Sequence, residues 1–213
     1  MSWGDIPEWA YDSAAALLKS LHISDPNTYE HCLRVGELAR QLSRDLGLNE
    51  YEQKVAEFSG ILHDIGKMGI EKEILLKPGK LDAKELDIMK SHSTLSAHII
   101  EPLTHHDFFK AVLPGVRGHH ERMDGEGYPD KIIGEKISLF ARIILVVDTY
   151  DAMSQTRVYR RGLPDDIIYA ELKRCSGTQF DPQIVRAFMQ AHSTWNTVNK
   201  DPETVSKLIL KVA

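Results

Sequence analysis

Apolar positions recur every three to four residues along most of the chain. Val35, Leu38 and Leu42 fall on one stripe after His31, and Val55, Phe58, Leu62 and Ile65 fall on another. That is the period of an amphipathic helix, not the alternation of a strand. Helix punctuation agrees. Asp25-Pro26 reads as an N-cap with proline in the first turn, Gly47 as a C-terminal stop, and Pro164-Asp165-Asp166 and Asp181-Pro182 as further starts. The pattern predicts helices over residues 7–21, 26–46, 50–65, 82–101, 107–121, 137–155, 164–175, 181–192 and 201–211, which makes an all-α bundle. Two stretches interrupt it: Gly66 to Leu81, and the Gly-rich run Asp124-Gly125-Glu126-Gly127-Tyr128-Pro129, which reads as an irregular loop.

A length of 213 residues suits one well-cored domain, and 42% hydrophobic with 27% charged residues is an ordinary globular make-up. The net charge of −5 disfavours a long nucleic acid, whose binding needs Lys and Arg to neutralise phosphates; a small phosphorylated ligand stays open. The two cysteines, Cys32 and Cys175, form no metal or redox spacing and read as small hydrophobes in a reducing compartment. The first residues lack a basic segment followed by an apolar one, and no apolar run approaches the ~20 residues needed to span a bilayer. A cytoplasmic location without membrane insertion is expected.

The ten histidines change the picture more than the composition does. His31 shares the stripe of Val35, Leu38 and Leu42, and His92 shares that of Ile88, Leu95 and Ile99, so both point inward, where an unsatisfied imidazole is costly. His63 lines up with the small residues Ala56 and Gly60, which leave room beside it. Asp148 follows the run Ile143 to Val147 on the stripe of Ile137, Ala141 and Ile144, a place where an ionised carboxylate needs a cation. His119-His120 stands directly before the Gly-rich loop. Taken singly, each of these is more often a hydrogen-bonded core residue. Together, seven inward His and Asp groups exceed what one metal holds and suit two, with a bridging carboxylate. His22, His98, His105, His106 and His192 lie outside the pattern and read as surface or capping residues.

His31, His63-Asp64-Ile65-Gly66-Lys67, His92, His119-His120-Glu121-Arg122, the loop through Gly127-Tyr128-Pro129, and Asp148 to Met153, in this order, resemble the HD-GYP family. The resemblance runs from about Asp25 to Phe188 and takes in Lys77 to Leu81 and Gly177 to Pro182. It implies an HD-type helical fold with iron or manganese ions that hydrolyses cyclic di-GMP to pGpG, GMP or both through a hydroxide held between the metals. The ligands it implies are His31, His63 and Asp148 at one metal, His92, His119 and His120 at the other, and Asp64 bridging. Asn27 stands where three-metal members carry glutamate, so two divalent ions are expected; Lys131 stands where glycine is frequent, and Met123 where an aromatic is usual.

Lys67 is the candidate to neutralise phosphate charge or protonate the leaving group, with Asp64 the other catalytic residue. Tyr128, Arg157 and Arg160 are the candidate substrate contacts, and Asp151 reads as a supporting or packing residue. The implied organisation is a helical extension over 1–24, the HD-GYP domain over 25–192, and a terminal helix over 193–213. That last helix, around Val205, Leu208, Ile209 and Val212, either packs on the core or mediates a homodimer. Only about 25 residues precede the match, so regulation is expected from partners such as a GGDEF diguanylate cyclase or another signalling protein. The competing readings are a cyclic di-GMP sensor without turnover, and an HD phosphohydrolase acting on another cyclic mono- or dinucleotide, cyclic GMP-AMP among them.

Overall fold

The computed structural model describes residues 6–155 and 161–195. These form ten α-helices: α1 (Glu8–Ser24), α2 (Pro26–Asp45), α3 (Glu50–Leu62), α4 (Lys72–Leu75), α5 (Ala83–Lys90), α6 (His92–Ile100), α7 (Asp107–Arg117), α8 (Leu139–Ser154), α9 (Asp165–Arg174) and α10 (Pro182–Trp195). Among the described residues there is no strand, only an isolated bridge between Ser176 and Phe180, and no helix is long and apolar enough to cross a membrane. The expected all-α class is the observed one.

Local chemistry explains where the helices begin. The Asp25 side chain accepts from the N–H groups of Asn27 and Thr28, with Pro26 needing no partner in the first turn. Asn49 with Glu52, and Asp82 with Glu85, form reciprocal capping boxes at α3 and α5. α2 and α3 then cross at two glycines: a Cβ on Gly60 would lie 2.9 Å from the Gly36 Cα. Backbone meets backbone there, and this brings the ends bearing His31 and His63 to one level.

The buried apolar residues form two clusters. One gathers α1, α3 and α7 around Phe58, Ile61, Phe108 and Phe109; the other gathers α8, α9 and α10 against α2 through Val35, Ile143, Val147, Phe180 and Phe188. α2 and α3 contribute to both, and the polar centre described below lies along them.

Several expectations need correction. The helix expected over 82–101 is two, broken at Ser91, because the Ser91 N–H turns back to the Ile88 carbonyl and ends α5. α3 ends at Leu62 and α7 at Arg117, so His63-Asp64 and His119-His120 sit in the turns that follow. Gly66 to Leu81, expected to interrupt the helical pattern, overlaps a 3-10 turn over Ile65–Gly69 and contains the single turn α4. His192 is neither surface nor cap. It is buried among Tyr150, Phe188 and Trp195 and shares a 2.6 Å hydrogen bond with the Tyr169 hydroxyl. The helix expected over 201–211, with Val205 to Val212, lies outside the described residues.

Lys131, in the position where glycine is frequent, has φ 54°, a left-handed conformation that a side chain strains.

Candidate metal centre

Three helix ends converge on the centre, and each delivers a histidine in the same way. The Nδ1–H of His63 donates to the Gly60 carbonyl at 2.6 Å, that of His92 to Met89 at 2.7 Å, and that of His119 to Val116 at 2.7 Å. Each acceptor lies three residues back, in the last turn of α3, α5 or α7, where carbonyls lack a helical partner. The bond holds one proton on Nδ1 and leaves Nε2 as the atom that takes up either a second proton or a metal ion. The C-termini of α3 and α7 also carry partial negative charge, which favours a cation between them, whereas His92 opens α6, whose N-terminus has the opposite sign. His31 is aimed by a carboxylate instead: its Nδ1 bonds Asp151 Oδ2 at 2.7 Å, and Arg34 holds the same carboxylate at 2.7 and 3.0 Å.

The Nε2 atoms then face one another. His92 Nε2 and His119 Nε2 are 3.1 Å apart, two lone pairs that repel unless a positive charge lies between them. His63 Nε2 and Asp64 Oδ1 are buried with no hydrogen-bond partner, a costly state that a cation removes. Asp64 divides its oxygens: Oδ2 lies 3.3 Å from His63 Nε2 and 3.7 Å from His31 Nε2, while Oδ1 lies 3.3 Å from His92 Nε2. Asp148 Oδ1 is 3.0 Å from His31 Nε2 and 4.0 Å from His63 Nε2. Two donor groups result, His92 with His119 and His120, and His31 with His63 and Asp64; within each, the ligand atoms lie within 4.8 Å of one another. Imidazole nitrogens and carboxylate oxygens in such groups fit divalent first-row ions.

The electrostatics differ between the groups. Burial pushes His92 down, burial and the neighbouring His120 push His119 well down, and burial pushes His120 down to about 3. All three are neutral near pH 7, as ligands must be. On the other side, burial works against a charged His63, but the Asp64 carboxylate outweighs it and raises the ring well above its ordinary range. Burial likewise works against charge on Asp64 and Asp148; His63 and Lys67 hold Asp64 well below the usual carboxylate range, and the His31 hydrogen bond lowers Asp148.

All seven residues expected as ligands come together. Lys67 lies beside them with Nζ 2.5 Å from Asp64 Oδ2. Tyr128 stacks on His120 at 4.7 Å between ring centroids, with Lys90 Nζ 5.7 Å from its ring. Arg157 and Arg160 lie outside the described residues. Sequence reasoning missed Arg34, Glu121 and Lys90. Arg34 carried a signal, since it stands one helical turn from His31 on the same face.

The family model of the HD domain matches residues 16–184, and the chain belongs to that family. The cyclic di-GMP phosphodiesterase response regulator RpfG of Xanthomonas campestris is 33% identical over 192 residues, 90% of this chain and 50% of the relative. A cyclic di-GMP phosphodiesterase of Thermotoga maritima is 34% identical over 183 residues, 84% of this chain and 50% of the relative. The 3'3'-cGAMP-specific phosphodiesterase 1 of Vibrio cholerae is 41% identical over 137 residues, 64% of this chain and 31% of the relative. The chain thus spans half the length, or less, of these three relatives.

Among solved structures, an HDG"Y"P protein of Bdellovibrio bacteriovorus shares the fold with TM-score 0.62 at 15% identity, over 87% of this chain and 63% of that one. A cyclic GMP-AMP phosphodiesterase of V. cholerae shares it with TM-score 0.60 at 21% identity, over 93% and 50%.

Proposed function

We propose that this chain hydrolyses cyclic di-GMP, to pGpG, GMP or both, at a centre of two divalent ions, iron or manganese. The observation that carries this reading is the division of Asp64, which turns one carboxylate oxygen to each of two donor groups. His31, His63 and Asp148 would hold one ion, His92, His119 and His120 the other, with Asp64 between. Bound there, the ions supply Lewis-acid activation of water and neutralise phosphate charge.

The chain's own residues do the rest. The four Nδ1 anchors keep the rings aimed, so little reorganisation accompanies the reaction. Lys67 stands beside Asp64 and faces either a non-bridging phosphate oxygen or the departing ribose oxygen, to which it can deliver a proton. Tyr128 offers an aromatic face to a guanine base. Arg157 and Arg160 are proposed to grip the second phosphate bidentately.

Cyclic GMP-AMP is the second reading, favoured by the 41% identity to a relative named for it.

The test is anaerobic loading of metal-free protein with iron or manganese, then incubation with each cyclic dinucleotide and chromatography of the products, with Asp64→Ala alongside. Cyclic di-GMP turnover that vanishes in the variant is expected. A wild-type chain with two ions bound and no product from cyclic di-GMP would overturn this reading in favour of a sensor or another substrate.

A further inference from the structure

The turn carrying His119 and His120 runs on into the Gly-rich loop, and one buried side chain ties the two together. Glu121 is 1% exposed. Its two carboxyl oxygens each accept a backbone N–H from the far side of the loop, Asp130 to Oε1 at 2.6 Å and Ile132 to Oε2 at 2.9 Å. The residue next to His120 thus holds the chain just beyond Tyr128-Pro129. The near side of the loop closes on the same turn: the Tyr128 N–H reaches the His120 carbonyl at 3.3 Å. A Cβ on Gly127 would come within 2.6 Å of both the Glu121 Cα and the His120 oxygen, so backbone lies on backbone. Outside, Arg117 grips Asp130 with two bonds of 2.8 Å.

A buried carboxyl that accepts two main-chain N–H groups serves folding in most proteins. Two features give this one a narrower task. Its anchor points, Asp130 and Ile132, lie just beyond Tyr128, its own backbone packs on Gly127 just before it, and the Tyr128 ring stacks on His120. It is also bonded in sequence to His120, so one side chain fixes the register between an imidazole of the metal centre and the tyrosine above it.

We propose that Glu121 is a positioning residue that sets the placement of Tyr128 for substrate and does not contribute to metal binding. The inference deepens the phosphodiesterase reading and rests on it for its choice of substrate.

Glu121→Gln keeps the size and one acceptor oxygen but turns an NH2 against a backbone N–H, so one of the two tethers is lost. Wild type, Glu121→Gln, Tyr128→Ala and the double variant are compared for metal content and for kcat/KM on two substrates. One is cyclic di-GMP. The other is bis(p-nitrophenyl) phosphate, a small diester that needs the metal centre but offers Tyr128 no base.

All four proteins are expected to bind the same number of ions. Glu121→Gln is expected to lower kcat/KM on cyclic di-GMP about 10–100-fold, the scale of a small misplacement, and to leave the small diester within about threefold. The double variant is expected to be no worse than Tyr128→Ala, because the two residues act as a unit. Losses that add, losses equal on both substrates, or loss of metal would each overturn the proposal. If wild type cleaves the small diester but not cyclic di-GMP, the substrate reading fails by itself. Hydrogen exchange at the Asp130 and Ile132 amides then decides: faster exchange in Glu121→Gln upholds the tether, and unchanged protection overturns it.

Discussion

Replacing Asp151 with asparagine tests how the centre is aimed. The Asp151 carboxylate is shared: Oδ1 takes Arg34 Nε at 2.7 Å, and Oδ2 takes both His31 Nδ1 at 2.7 Å and Arg34 Nη2 at 3.0 Å. An amide has one oxygen for these three donors: turned toward His31 it keeps the bonds from His31 Nδ1 and Arg34 Nη2 but sets its NH2 against Arg34 Nε, and in either orientation the negative charge behind the Nδ1–H of His31 is lost. His31 is then aimed by a neutral, strained partner, and its Nε2, 3.0 Å from Asp148, is a less basic and less firmly placed donor. Loss of a partner that orients a ligand typically lowers metal affinity about 10–100-fold, or about 1.4–2.8 kcal/mol. The effect should fall on the ion held by His31, His63 and Asp148, and the ion of His92, His119 and His120 should stay within about threefold. Arg34→Ala is the control, since it removes the arginine and keeps the His31–Asp151 bond. Competition of manganese or zinc against a fluorescent chelator resolves the two stepwise affinities. Asp151→Asn with both steps unchanged, or with both weakened alike, would refute the reasoning.

Three further outcomes follow from single positions. Gly66→Ala would put a Cβ 2.2 Å from the His92 carbonyl oxygen and 2.4 Å from the Ser96 nitrogen; a loss of about 3 kcal/mol is expected, and denaturant unfolding showing under 1 kcal/mol would contradict it. Lys131→Gly relieves about 1–2 kcal/mol of left-handed strain against about 0.5–1 kcal/mol of extra chain entropy, so a net gain of roughly 0.5–1 kcal/mol should appear in the same assay. Burial lowers the His192 pKa, so the stability it contributes is complete above its unfolded value near 6.5 and is lost as pH falls through the lower folded value. From pH 7.5 to 5 the wild-type melting temperature should therefore fall more than that of His192→Phe, and parallel curves would count against this.

The helical period made the bundle legible, and it also pointed His31, His92 and Asp148 inward without any knowledge of the fold. What it missed were events at helix ends. Nothing in the spacing of Ile88, Leu95 and Ile99 shows that the chain breaks at Ser91, because the stripe continues across a break that a local hydrogen bond produces. His119 and His120 read as the last turn of a helix, yet Gly118 ends that helix first, and adjacent rings can then serve one ion. Glu121 and Arg34 act through main-chain N–H groups and through a carboxylate 117 residues away, partners that only folding brings near. His192 looked like a surface residue because its aromatic neighbours come from α8, α9 and α10 together.

The three bonds from His63, His92 and His119 to carbonyls three residues back have a consequence for metal supply. Each ring is oriented inside its own turn, so stopping three helices also assembles the donor set. What the turns do not remove is the crowding of Nε2 atoms and the unpartnered Asp64 oxygen, and an ion relieves both. Metal supply is therefore linked to stability: the chain with its ions should withstand more heat or denaturant than the chain without them, and a chelator should lower that resistance.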